Sequence, residues 1–160
     1  MLRLKKINRE NVWDILKLEV SDDQKSFVAT NGISIIEAYT AITENGYAFP
    51  FTIYEDDIPV GFLMIGYDAD DYWYDAPKIA KGNYNLWRLM IDKNYQGKGL
   101  GKEAVRLALD FINTFPCGTG EYCWLSYEAE NDIARQLYSS FGFVETGEKD
   151  GEELIAVLKL

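Results

Sequence analysis

Apolar and polar positions alternate along Leu2-Arg3-Leu4-Lys5-Lys6-Ile7, the period of a strand with one buried face. The pattern then lengthens to a helical one. Asn8 offers an N-cap, and Val12, Trp13, Ile15, Leu16 and Val20 give the following helix an apolar side. Ser21-Asp22-Asp23-Gln24 has the form of a capping box that starts a second short helical piece with Phe27 and Val28. Ser34 is placed to cap a further helix carrying Ile35, Ile36, Ala38, Tyr39 and Ile42, with Gly46 at its end. Two runs rich in aromatic and branched residues, Phe49 to Tyr54 and Val60 to Tyr67, flank Glu55-Asp56-Asp57-Ile58-Pro59 and predict a hairpin. From Asp68 to Tyr84 the pattern dissolves, and a loop is expected.

The second half repeats a strand-helix unit twice. Leu86 to Ile91 is a short apolar run that suits a buried strand. From Leu100, the positions Ala104, Leu107, Ala108, Phe111 and Ile112 make one helical stripe, with Lys102, Glu103, Arg106 and Asp110 on the wet side. Tyr122 to Tyr127 predicts the next buried strand. A helix from about Asn131 to Phe141 follows, with Ile133, Ala134, Leu137, Tyr138 and Phe141 on one face and Gly142 as its stop. Phe143 to Thr146 and Leu154 to Leu158, about an Asp150-Gly151 turn, are final strands. The order predicts a mixed α/β layer, and 160 residues without repeat or low-complexity tract predict one domain over 1–160.

Charge and composition narrow the partners. A net charge of −10 argues against a phosphate backbone as ligand and favours a cationic partner. No apolar run approaches membrane-spanning length, so no membrane partner and a cytoplasmic location are expected. Two irregularly placed cysteines and no histidine make a metal site improbable, and reduced structural thiols are expected.

The candidate chemistry starts at Gln96-Gly97-Lys98-Gly99-Leu100-Gly101, between the central strand and its helix. Three glycines let a backbone come close to a ligand, free N–H groups join the positive helix end, and Lys98 and Lys102 add charge. The physical reading is a diphosphate cradle. Gly99-x-Gly101-x-x-Ala104 also satisfies the dinucleotide fingerprint, but Asp92-Lys93-Asn94-Tyr95 separate strand from glycines and an antiparallel hairpin precedes. An ATP-binding loop is excluded, because Glu103 follows Lys102 where Ser or Thr is required.

Gln96-x-x-Gly99-x-Gly101 after a strand ending in Ile91-Asp92 resembles the acyl-CoA pyrophosphate loop of the GCN5-related N-acetyltransferases (GNAT). A second segment, Asn131, Ala134, Leu137, Tyr138, Gly142 and Phe143, resembles that family's N-x-x-A-x-x-L-Y-x-x-x-G-F motif in order and spacing. Gln24 to Val28, Pro50-Phe51 and Leu125-Ser126-Tyr127-Glu128 extend the resemblance to the bacterial spermine, spermidine or diamine acetyltransferase branch. It implies an α/β, single-domain GNAT-like acyl-CoA N-acyltransferase fold, a mixed central sheet flanked by helices. It also implies acetyl-CoA as co-substrate, no metal, and a small cationic amine as acceptor, with a homodimer left open.

Roles follow from the same resemblance. Met90 and Ile91 would pair with the pantetheine arm, and Gln96, Gly97, Lys98, Gly99, Leu100, Gly101 and Lys102 would hold the pyrophosphate. Asn131, Arg135 and Tyr138 would complete the cofactor contacts, with Tyr138 also the acid for the leaving thiolate. Tyrosine is chemically suited to that, since its ordinary pKa of about 10 lies near that of a thiol. An alkylammonium must lose a proton before it attacks. Where family members carry a base on the central strand, this chain has Trp87, Arg88 and Leu89; Glu128 is the first candidate base and Asp92 the next. Asp70, Asp71 and Trp73 in the acidic aromatic loop, with Trp87, are expected to hold the cation. Acetylation of another amine (an aminoglycoside or a protein N-terminus) and a non-catalytic acyl-CoA-binding module are the competing readings.

Overall fold

The computed structural model describes all of residues 1–160. One sheet holds β1 Leu2–Lys6, β2 Tyr47–Glu55, β3 Ile58–Tyr67, β4 Tyr84–Ile91, β5 Tyr122–Tyr127, β6 Val144–Asp150 and β7 Glu153–Lys159. Its strand order is β1-β2-β3-β4-β5-β7-β6. The helices are α1 Val12–Lys17, α2 Asn31–Thr43, α3 Leu100–Ile112 and α4 Asp132–Ser140. On one face the α3 stripe, Leu100, Ala104, Ala108 and Ile112, packs with Phe51, Leu63, Leu86 and Leu125. On the other, Ile15 of α1 and Ala38 of α2 meet Phe62, Met64 and Met90. Each such buried aliphatic or aromatic side chain is worth about 1.5–3 kcal/mol over its exposed state. The mixed sheet with helices on both faces agrees with the periodicity.

Several local expectations change. Only Ile15 of the α1 stripe is fully buried, while Trp13 and Leu16 are 68% and 45% exposed, because six residues present too short a face to cover more. Ser21 gives its hydroxyl to Asp23 at 2.6 Å and forms no capping box. Thr30, not Ser34, caps α2, its Oγ1 accepting from the Ile33 N–H at 3.2 Å. The helix starts early because Asn31 is needed in it: the side-chain amide donates to the Ile15 carbonyl at 2.9 Å and joins α2 to α1. At the other end Asn45 takes the left-handed position with φ 63°, and the Gly46 N–H returns to the Ala41 carbonyl at 2.7 Å. Ile33, Ile36, Tyr39 and Ile42 of α2 and Ile133 of α4 face outward rather than into the core.

Two irregularities of β4 position everything that follows. Against β3, Met64 pairs with Arg88 and Ile65 with Leu86, so Trp87 is an extra residue and the strand bends there. Against β5, the parallel ladder consists of Tyr84 with Cys123 and Asn85 with Trp124, and then stops. Beyond it the edge of β4 turned to β5 has no strand partner. β4, α3 and β5 thus form a parallel crossover after all, but one that opens where a dinucleotide fold would stay zipped. On its closed side β4 lies tight against β3: a Cβ at Gly61 would run into the Met90 carbonyl oxygen and crowd Ile91 and Ile53. Gly61→Ala is therefore expected to lower stability by about 1–3 kcal/mol through overpacking, seen as an earlier urea midpoint. An unchanged midpoint would show that β3 and β4 can part without cost.

Candidate functional site

The glycine loop leads from β4 to α3 with Gly97 and Gly99 at φ 79° and 78°, conformations that side chains with a Cβ resist. A Cβ at either would meet nothing within 4 Å, so glycine is there for backbone shape and open access. The N–H groups of residues 97 to 102 donate to no protein acceptor, whereas the next, Glu103, bonds to the Gly99 carbonyl at 3.3 Å. Six free donors at a helix N-terminus make an anion cradle. Gln96 serves as its hinge pin: the side-chain amide donates to the Ile91 carbonyl and to Gln24 Oε1, both at 2.8 Å. That second bond draws residues 24–29 over the loop, so the Gln24-to-Val28 stretch becomes one wall of the site.

From the cradle a continuous cavity of about 1280 Å³ runs through the gap between β4 and β5. Tyr138 lines it from α4, half-buried, its ring parallel to that of Tyr127 at 6.2 Å and edge-on to Phe143 at 5.7 Å. Burial pushes its phenol above the ordinary tyrosine range, helped by the neighbouring Cys123 and Tyr127. Tyr127 is held by donating to Glu145 at 2.9 Å, and burial followed by that bond raises it to about 12. Asn131 opens α4 by accepting from the Ala134 N–H at 3.3 Å.

Past the gap the cavity widens under α2 and the loop 68–83. Trp73 lies against Trp124 with centroids 6.1 Å apart, and Trp87 and Arg88 enter from β4. The Arg88 guanidinium meets both oxygens of Glu37 at 3.2 Å. Asp70 accepts from the Tyr72 and Trp73 N–H groups at 2.9 and 3.0 Å, which fixes the loop that carries the aromatics. Glu128 stands just beyond β5, and Asp150 and Glu153 reach in from the β6–β7 turn.

The cavity thus gathers most residues singled out from sequence: Met90, Ile91, Gln96, Gly97, Gly99, Leu100, Gly101, Lys102, Asn131, Tyr138, Glu128, Asp70, Trp73 and Trp87. Three sit apart. Lys98 rests its ammonium over the Tyr95 ring at 5.5 Å, outside the cavity. Arg135 points the other way, pairing with Glu145 at 3.0 Å and with the Ala129 carbonyl at 3.1 Å. Asp71 is exposed beside the cavity without lining it. Asp92 is buried and spent on the Glu19 and Asn94 N–H groups at 2.9 and 3.0 Å, which removes it as a base. Sequence reasoning missed Glu37, Asp150 and Glu153. Glu37 was hidden on an apolar helix, and the other two flank what reads as an ordinary hairpin turn.

Residues 9–143 match the model of the Acetyltransferase (GNAT) family. The chain is 31% identical to a spermine/spermidine N(1)-acetyltransferase of Bacillus subtilis, over 96% of each. Its fold is like that of the PaiA N-acetyltransferase from Thermoplasma acidophilum in complex with coenzyme A, with TM-score 0.68, 15% identity and coverage of 100% and 99%. It is also like that of the aminoglycoside acetyltransferase AAC(6')-Ib with coenzyme A and kanamycin, with TM-score 0.75, 15% identity and coverage of 99% and 95%.

Gln96→Ala should free both the loop and residues 24–29, removing bonds worth about 0.5–1.5 kcal/mol each. Faster amide exchange confined to those two stretches is the expected result, and unaltered exchange would show that Gln96 pins neither.

Proposed function

This chain belongs to the acetyltransferase (GNAT) family and is an N-acetyltransferase, and we propose on that premise that it moves an acetyl group from acetyl-CoA to a primary amine of a small polycation such as spermine or spermidine. The observation that carries the proposal is one cavity with a free anion cradle at one end, an open strand edge in the middle and carboxylates among aromatic faces at the other. The donor set fits coenzyme A. Backbone N–H groups of residues 97–102 with Lys102 suit a pyrophosphate, and the unpaired edge of β4 near Met90 and Ile91 suits an extended amide-bearing arm. Lys98 and Arg135 are given no contact in this reading, because each has another partner.

Acetyl-CoA supplies the activated acyl group when bound. The protein's part is to hold the thioester in the gap, present a hydrogen bond to the departing sulfur and orient the amine. Tyr138 suits the second task, because a phenol pushed upward by burial stays protonated and can donate. For the third task, Trp73, Trp87 and Asp70 offer π faces and charge to an alkylammonium, while Glu37 is neutralised by Arg88. A carboxylate-rich chamber in a chain of net charge −10 favours an extended cation over a neutral or acidic acceptor, and the 31% identical relative bears a spermine/spermidine name.

Two measurements test this reading. Tyr138→Phe should lower turnover roughly a hundredfold while coenzyme A affinity changes less than about threefold; wild-type turnover with chemistry rate-limiting would leave Tyr138 a packing residue. Across an amine panel including kanamycin and N-terminal peptides, spermine and spermidine should have the lowest KM, rising with salt as charges are screened. Asp70→Asn should raise that KM with little change in kcat, since the amide can still accept the two loop bonds, whereas Asp71→Asn should do less. Salt-independent kinetics, or a monoamine used equally well, would remove the polycation from the account.

A further inference from the structure

We propose that Glu153 is the base that takes the proton from the incoming ammonium, an inference that rests on the acetyl-transfer reading of this cavity. An alkylammonium has a pKa of about 10.4, so at pH 7 well under about one molecule in a thousand is neutral. In a chain without histidine the carboxylates are the side chains already ionised at pH 7 and able to take a proton, and seven line the cavity. Four are committed or remote. Glu37 is bound to Arg88, Asp68 to the Gly82 N–H at 2.8 Å and to Lys81, and Asp70 to its own loop. Glu44 is exposed just past the last turn of α2.

Of the remaining three, Asp150 and Glu153 are paired across the β6–β7 turn, and Glu128 follows the end of β5. Glu153 alone of these has its carboxylate hydrogen-bonded to a side chain of the strand that borders the gap. Its Oε2 accepts from the Ser126 hydroxyl at 3.3 Å, and Ser126 lies on β5 two residues past Trp124, where the β4–β5 ladder ends. Trp124 and Ser126 share one face of β5, the face opposite the α3 layer, so the carboxylate stands on the acceptor side of the gap. Glu128 and Asp150 present like charge to it, Asp75 lies behind Asp150, and Arg88 faces it with opposite charge. Burial first, then those two carboxylates, hold the Glu153 carboxyl above its usual range against the Ser126 bond and Arg88. A carboxylate with raised proton affinity is a stronger base for an amine, and Ser126 keeps it aimed.

The step balances without a further reactant. The Glu153 carboxylate takes one ammonium proton, and the freed lone pair forms the C–N bond to the thioester carbonyl carbon as the C–S bond breaks. The second nitrogen proton leaves with the thiolate as coenzyme A thiol, with Tyr138 hydrogen-bonded to sulfur. Glu153 then returns its proton to water.

Thiol release with spermine, followed from pH 6 to 10 for the parent, Glu153→Gln and Glu128→Gln, tests the assignment. At pH 7, Glu153→Gln should lose roughly a hundredfold or more in kcat with KM changed only a fewfold, and the deficit should shrink toward pH 10 as neutral amine becomes abundant. Glu128→Gln should lose far less at pH 7 and move the acid limb slightly downward, because one like charge facing Glu153 is gone. A Glu153→Gln protein with the parent's profile, or with a deficit equal at every pH, overturns the role. A second readout needs no turnover: spermine binding to the coenzyme A complex across pH 4.5 to 7, measured by calorimetry in buffers of different ionisation enthalpy. The parent should release protons as the cation drives Glu153 to ionise, and Glu153→Gln should release fewer. Equal release overturns the role as well. A parent that acetylates another amine but not spermine overturns only the polycation reading, and the same profiles are then taken on that amine. A parent that neither binds nor acetylates any amine overturns the function and Glu153's part in it together.

Discussion

The parting of β4 from β5 is the constraint on which the rest of the structure depends. Backbone N–H and C=O groups in an interior are costly to leave unpaired, so two parallel neighbours ordinarily zip along their whole length. Here each strand is held from its far side. β5 pairs with β7 at six successive positions from Tyr122 to Tyr127, and β4 pairs with β3 through the tight contact at Gly61. The extra residue at Trp87 bends β4 just beyond the last shared pair, Asn85 with Trp124. Asn131, Ala134 and Tyr138 of the α4 segment then line the space on one side, and Trp87 and Met90 border it on the other. The gap is therefore built into strand pairing, and it supplies a bare strand edge to whatever extended molecule enters.

How much of this could be read along the chain depended on whether the signal was local. The hairpin, the α3 stripe and the strand-helix alternation were legible because periodicity records burial directly. The cradle was legible because glycine, free N–H groups and a helix start are all consecutive. Its hinge is only half legible, since the motif makes Gln96 a ligand contact while one of its two bonds, to Gln24, reaches a partner 72 positions away. The same limit explains Arg135, which the motif counts among the cofactor contacts but whose charge is met by Glu145 ten residues on, across the α4–β6 turn. The first two helices depart most from their pattern. On α1 and α2 an apolar side predicts an inner side, yet Trp13, Ile36 and Tyr39 face out, because the inner faces are fixed by Ile15, Asn31 and Ala38. Glu153 carries no local signal at all, since its neighbours Ser126 and Glu128 come from β5 and the residue just beyond its end.

The two halves of the cavity ask for opposite charges, and a chain of net charge −10 serves both by separating them along its length. The anion end uses helix-end dipoles and backbone donors, which carry no countercharge into the acceptor chamber. In the acceptor chamber Arg88 is balanced by Glu37, so the guanidinium there is not a free cation that would repel the amine. The two groups assigned to proton handling are displaced in the same direction by burial. That common direction has opposite consequences. For Tyr138 it extends the range in which the phenol keeps its proton, moving any alkaline loss of the donor beyond the ordinary tyrosine value. For Glu153 it brings the carboxylate closer in basicity to the amine it must deprotonate, and it moves the acid limb of activity upward. With Glu153 proposed as base and Tyr138 as donor, activity falls on the acid side as the carboxyl takes up a proton and the donor is kept on the alkaline side, so the rate should climb with pH until the amine is itself largely neutral.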